Sequence, residues 1–248
     1  MRKFLNILLV SIMLTLLGLG VIELIKFHQV DSMNRELWEE VAEVPETPQD
    51  ETGNSMDPDD PLYWHIDFDA LQAVNPDIKG WIYIPGTRIN YPILVGDTDQ
   101  EYLSKDYNGN YLYAGSIFGY AGTDLLEDQY VQLFGHNMIS KQMFGDLTNY
   151  QSTDYASHNS TMYIYLPDRT KQCRVFSAFG CRYDDPIFAE AHDDQQELIT
   201  ELSERSSIGA AQPEQPRQVF TLATCNGYTG TPNRFTVSFY TEKERFVL

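Results

Sequence analysis

From Gly80 onward the sequence repeats one pattern: a short run of β-branched and aromatic residues, then a glycine, proline or asparagine. The runs are GWIYIPG, INYPILVG, AGSIFGY, QYVQLFG, TMYIYLP, QCRVFSAFG, RQVFTLATC and RFTVSFY. Short strands separated by turn residues point to a mainly β core. Seven or eight of them with a few helices inserted predict a closed or nearly closed β-barrel. Three helical stretches are expected. Asp67 or Asp69 can cap one, with Phe68, Leu71 and Val74 at helical spacing and Asn75-Pro76 as its stop. KQMFGDLTNY spaces Met143, Phe144, Leu147 and Tyr150 at i, i+1, i+4 and i+7. DDQQELITELSER sets Leu198, Ile199 and Leu202 on one face behind acidic capping residues. There is no internal repeat.

The N-terminus obeys a different rule. Arg2 and Lys3 precede a nearly uncharged apolar stretch from Phe4 to Ile22, closed by Glu23 and Lys26. These residues, as a helix, span about 28 Å, close to the hydrocarbon thickness of a bilayer. The alternative is a cleaved signal peptide, but the stretch is longer than the usual apolar region and no small-x-small cleavage site follows. The expectation is a signal-anchor at 4–22 behind a cytoplasmic stub at 1–3, with the rest of the chain outside the cell. Residues 23–61 then form a juxtamembrane helix, with Leu37, Trp38 and Val41 on one side, and an acidic spacer containing Pro45, Pro48, Pro58 and Pro61. Its composition cannot bury a core. The folded domain is expected at 62–248.

Net charge is −19, and the part after Asp60 still carries 13 basic against 24 acidic residues, or −11. A nucleic-acid binder needs a basic footprint to meet the phosphates, and none is visible.

Three cysteines are an odd number for a chain facing the outside, so at least one thiol is free or paired between molecules. Cys173 and Cys181 lie roughly 26 Å apart if they share one extended strand, too far to bridge, and read as small fillers in a sheet. Cys225 ends its run. Alternation puts Val219, Thr221, Ala223 and Cys225 on one face and Phe220 and Leu222 on the other; in the next run Phe235, Val237 and Phe239 face the core and Arg234, Thr236, Ser238 and Tyr240 the opposite side. Paired as an antiparallel hairpin, the two runs set Cys225 and Arg234 across from each other. They would sit on the face away from the densest apolar packing, along a surface groove.

A thiol nucleophile needs a nearby proton acceptor and a proton donor for the leaving amine, and one imidazole can serve both. His28, His65, His158 and His192 read as solvated. His136 differs, ending a strand between Gly135 and Asn137. For metals, CxxC and HExxH are absent, and Asp184, Asp185, Glu190, Asp193 and Asp194 lack calcium-loop spacing, reading as a solvated loop and helix cap, with weak calcium binding as the alternative.

Together these residues resemble the class B sortases, membrane-anchored cysteine transpeptidases of Gram-positive bacteria. The resemblance runs from about residue 62 to the C-terminus. It rests on TLATC followed nine residues later by Arg234, on FGHNM followed by MFGDLTNY, on VNPDIKGWIYIPGTRINYPIL, and on a helix from about Asp194 to Arg205 ahead of the cysteine strand. It implies a sortase-like barrel of seven or eight strands, with His136, Cys225 and Arg234 as the catalytic residues. Asp99, Leu103 and Thr224 would lie on the substrate groove. Asp99 stands where similar sequences often carry asparagine, which bears on the sorting signal rather than the chemistry. No metal or organic cofactor is implied. The expected partners are secreted proteins bearing a C-terminal sorting signal of LPxTG or NPxTx type and an amine acceptor of the cell wall, such as a peptidoglycan precursor. A pilin lysine as acceptor is the alternative within the family. Outside it stand a secreted cysteine peptidase with water as acceptor and a non-catalytic surface adhesin.

Overall fold

A computed structural model of the chain describes residues 2–43, 57–189, 192, 194–215, 217–227 and 230–247. Most of the acidic spacer, with Pro45 and Pro48, lies outside the described residues, as do Glu190 and Asp193. The chain divides into two compact units, Met1–Glu39 and Glu40–Leu248.

The first unit is helical. Helix α1 runs Arg2–Val41 without a break, where a span ending at residue 22 and a separate second helix are expected. No proline or glycine stands between residues 21 and 41 to interrupt the backbone ladder. Phe4, Ile7, Leu16 and Ile25 are more than half exposed. An apolar surface of this kind calls for a non-aqueous surrounding. Among the described residues, this one helix is long and apolar enough to cross a membrane.

The second unit opens with β1 (Ala42–Glu43), paired antiparallel with β2 (His65–Ile66). Helix α2 (Phe68–Val74) follows, capped by Asp67, whose carboxylate accepts from the Ala70 N–H. Phe68 and Leu71 are buried, while Val74 is half exposed, on the solvent side of its last turn. Then come the barrel strands: β3 (Ile78–Tyr83), β4 (Asn90–Leu94), β5 (Ile117–Gly119), β6 (Tyr130–Phe134), β7 (Thr161–Tyr165), β8 (Arg169–Arg182), β9 (Val219–Cys225) and β10 (Asn233–Phe246). They close in the order β10-β8-β7-β3-β4-β5-β6-β9, and all eight expected runs are strands. Two neighbour pairs are parallel, β4 with β5 and β6 with β9. Each therefore needs a crossover connection. Residues 95–116 make the first. The second carries β7, β8 and the helices α3 (Thr153–His158) and α4 (Gln195–Glu204).

Two expectations are corrected. KQMFGDLTNY is not helical until Leu147, where a 3-10 turn spans Leu147–Gln151 ahead of α3. Before it the chain makes a tight turn with Lys141 and Met143 at positive φ. Gly145 fits there because a Cβ would lie 2.5 Å from the Met138 carbonyl oxygen. The apolar side chains still bury: Met143, Phe144, Leu147 and Tyr150 are all inside. Burial satisfied their spacing without a continuous helix.

The second correction concerns the outer face of β9 and β10. Thr221, Ala223, Thr236 and Ser238 are buried, not solvent-facing. Leu198, Ile199 and Leu202 of α4 join Ile187, Phe176, Phe179 and Val219 in a second apolar layer, with Cys181 and Tyr240 packed against it. An amphipathic helix must bury its apolar stripe somewhere, and here the outside of the barrel receives it. Cover stops only at the end of the strands, around Cys225 and Arg234, both half-buried.

Candidate active site at one end of the barrel

Register alone brings the three candidate residues together. In the parallel β6–β9 pair, Phe134 stands beside Ala223. Two residues further along the chain lie His136, just past the end of β6, and Cys225, the last residue of β9, so they emerge at the same barrel end. In the antiparallel β9–β10 pair, Cys225 is directly across from Arg234. Strands lie about 4.8 Å apart, so the sulfur-bearing residue has the imidazole strand on one flank and the guanidinium strand on the other.

Three hydrogen bonds extend the β6–β9 ladder to this end. The Gly135 N–H donates to the Ala223 carbonyl at 3.3 Å. The Thr224 hydroxyl donates to the Gly135 carbonyl at 2.8 Å, and the Asn137 amide donates to the Cys225 carbonyl at 2.7 Å. Gly135 has no room for a side chain: a Cβ would meet Ile117 at 2.6 Å and Phe144 at 2.9 Å.

A groove of about 320 Å³ opens over these residues. His136, Cys225 and Arg234 line it, and so do Asp99, Leu103 and Thr224, so all six residues singled out in the sequence reach one depression. Its remaining walls are largely aromatic, from Phe118, Tyr120, Phe134, Tyr183 and Phe188. Phe134 tilts against Phe118, Tyr120 and Phe188, with centroids 4.7 to 6.1 Å apart. Such a trough suits an extended peptide.

Each polar group is held in a definite way. The Arg234 Nη1 donates to the Thr231 and Asn233 carbonyls at 2.7 and 2.9 Å, which fixes the plane of the guanidinium. The His136 Nε2 lies 2.9 Å from the Leu103 carbonyl oxygen. Asp99 accepts from the Ala121 N–H at 3.0 Å. The 3-10 turn Glu101–Ser104 carrying Leu103 is anchored by Tyr102, which is buried, donates to Asp77 at 2.7 Å and accepts from Asn75 at 2.9 Å. Burial first, then the neighbouring carboxylates, push the Tyr102 hydroxyl up to about 12, so it remains a donor.

The other cysteines are chemically quiet. All three are unpaired, and Cys173 and Cys181 share β8. Burial pushes the Cys173 thiol up to about 12 and the Cys181 thiol up to about 11. Both stay protonated at neutral pH. The acidic stretch is more engaged than a solvated loop: Asp194 caps α4, accepting from Gln196 and Glu197, Asp184 pairs with Arg182 and Asp185 with Arg205. His192 stacks edge-on against Tyr130 at 4.9 Å.

Sequence reasoning missed Asn137, the aromatic floor, and the Asn75–Tyr102–Asp77 anchor. Asn137 sits beside the histidine in a turn-forming context that hides a second role, and the anchor joins segments separated by 25 and 27 positions.

No family model matches the chain. Among curated proteins, sortase B of Staphylococcus aureus is 29% identical over 176 residues, 68% of this chain and 72% of that protein. Sortase B of Listeria monocytogenes is 28% identical over 161 residues, 63% of this chain and 65% of that protein. Among solved structures, a Staphylococcus aureus sortase B–substrate complex superposes with a TM-score of 0.65 at 26% identity, covering 71% of this chain and 85% of the other. Relatives reached through sequence and folds reached through structure converge on sortase B, and it is the class B sortases that this chain is similar to.

Proposed function

We propose that Cys225 is the nucleophile of a two-step acyl transfer. Its thiolate attacks the backbone carbonyl of the threonine in an extended LPxTG- or NPxTx-like sorting peptide bound in the groove. A fixed cation beside the reacting carbon stabilises the developing oxyanion, and Arg234 holds that role. His136 as imidazolium gives its proton to the departing amine, and the C–N bond breaks, leaving an acyl-thioester on Cys225. A cell-wall amine then attacks the thioester. Neutral His136 takes up its proton, the amide forms, and the thiolate is released. Two transfers through one covalent intermediate give ping-pong kinetics. Asp99, Leu103 and Thr224 contribute to the peptide groove. In this reading residues 4–22 anchor the enzyme with its N-terminus in the cytoplasm, residues 23–61 hold the domain off the membrane, and residues 62–248 carry the catalysis outside the cell.

The observation that carries this reading is the shared register: His136 and Cys225 extend two adjacent parallel strands, and Arg234 is the cross-strand partner of Cys225. The test is mass spectrometry of the enzyme with a panel of sorting peptides and amine acceptors. A mass increase on Cys225, and product partitioning to the amide when the amine is added, are expected. His136→Ala and Arg234→Ala are each expected to lower turnover by at least about 100-fold in a folded protein. Turnover at the parent rate in either variant removes that residue from the mechanism.

A further inference from the structure

A carbonyl oxygen can only accept a hydrogen bond. The 2.9 Å contact between His136 Nε2 and the Leu103 carbonyl therefore requires the proton on Nε2. An imidazole held this way has one nitrogen committed, and its tautomer is set by the partner of that nitrogen. We propose that the Leu103 carbonyl locks His136 as its Nε2–H form, so that Nδ1 is the nitrogen that exchanges the catalytic proton, and that Tyr102 and Gly115 are positioning residues for that carbonyl. The inference rests on the reading of His136 as the acid and base of the reaction.

The crossover at 95–116 is mostly irregular, so its carbonyl needs outside support to keep a fixed direction. Two features supply it. The first is the buried Tyr102 hydroxyl, donating to Asp77 and accepting from Asn75, next in sequence to Leu103. The second is the close approach of Gly115. It adopts φ +59, and a Cβ there would lie 2.3 Å from the Leu103 oxygen, 2.8 Å from the Leu103 carbonyl carbon and 2.9 Å from the Tyr102 oxygen. The Ser116 N–H next to it donates to the Tyr102 carbonyl at 3.1 Å. The crossover thus folds back on itself and clamps the peptide unit that faces the histidine. A neutral carbonyl does here what a buried carboxylate does in other nucleophile–histidine sites, orienting the ring without adding charge.

The test uses the full chain, with the imidazole nitrogens observed by long-range 1H–15N NMR and acylation followed in single turnover. In the parent, Nε2 should show a protonated-nitrogen shift and Nδ1 a bare-nitrogen shift when the ring is neutral. Tyr102→Phe should melt as a folded protein, bind the peptide with unchanged KM, and acylate about 10- to 100-fold more slowly. Its two nitrogens should move toward the average of both tautomers. Gly115→Ala, which acts on the carbonyl directly, should show the same signature more strongly; if it does not fold, Tyr102→Phe alone decides. His136→Ala is run alongside. If His136→Ala is inactive while Tyr102→Phe acylates at the parent rate with an unchanged nitrogen spectrum, the positioning assignment is overturned and the catalytic reading stands. If His136→Ala keeps full turnover, the catalytic reading falls and this inference with it. A parent spectrum with the proton on Nδ1 also overturns it.

Discussion

Cys225 and Cys181 flank the same arginine, each paired with Arg234 in register, one on β9 and the other on β8. Their surroundings make them different reagents. Cys181 packs against the apolar layer under α4, which keeps its thiol protonated, whereas Cys225 stands where that layer ends. Alkylation of the native protein at neutral pH is therefore expected to modify Cys225 alone, with Cys173 and Cys181 labelled only after denaturation. Peptide mapping checks this, and prompt labelling of Cys181 would contradict the assignment. Asn137 gives a second prediction at this scale. Removing its amide in Asn137→Ala leaves the Cys225 carbonyl without its partner. One such bond is worth about 1 kcal/mol, which should lower the thermal midpoint by roughly 2–4 °C in a domain of this size and slow acylation without abolishing it. The cysteine–arginine pair was readable because one hairpin contains both residues and strand alternation fixes their common face. The Asn137 contact was not, because it joins positions 88 residues apart.

The elements show why much of the rest was hidden. All eight strands were legible from turn punctuation and β-branched runs, but the neighbour of β9 on its other side was not. β6 and β9 are parallel, and the long crossover between them leaves no local signal of their register. Yet that register is what carries His136 and Cys225 to the same end of the barrel. Alternation also misled at one point: a polar residue at every second position reads as a solvent face, while Thr221 and Ser238 satisfy each other's hydroxyls under α4 at 2.8 Å. The loop joining β8 to that helix is pinned by Asp185, which bonds Arg205 at the helix end and accepts from the Ile187 N–H. The Arg205 hydrogen bond is the main cause that holds the Asp185 carboxyl below its ordinary value. A depressed folded value contributes stability above the unfolded value and loses it as pH falls through the folded one. In urea unfolding, Asp185→Asn should therefore be less stable than the parent at pH 7. The gap should narrow below about pH 4 and close once Asp185 is protonated in the parent. A gap that persists unchanged into acid would show that shape, not charge, holds the loop.

At the scale of the whole molecule, closure of the barrel decides what the second unit can do alone. Eight strands joined edge to edge leave no barrel strand unpaired for association with another chain. The stretch Glu40–Leu248 contains that barrel, the α4 layer, the β1–β2 pair and every residue assigned to the groove. A closed barrel brings its own apolar core and pairs all its own strands, so this stretch should fold without residues 1–39. Residues 4–25 form instead a helical stretch with an apolar exterior that water does not favour. A fragment covering 40–248 is expected to be soluble, monomeric and able to form the acyl-thioester on Cys225. The full chain, expressed in a Gram-positive host, should remain in the membrane fraction through alkaline carbonate extraction and retain its N-terminal residues when sequenced. Recovery of a shortened product in the medium, with a new N-terminus after the apolar stretch, would identify that stretch as a cleaved signal. A 40–248 fragment that aggregates or fails to acylate would show that the barrel depends on the helix for more than attachment.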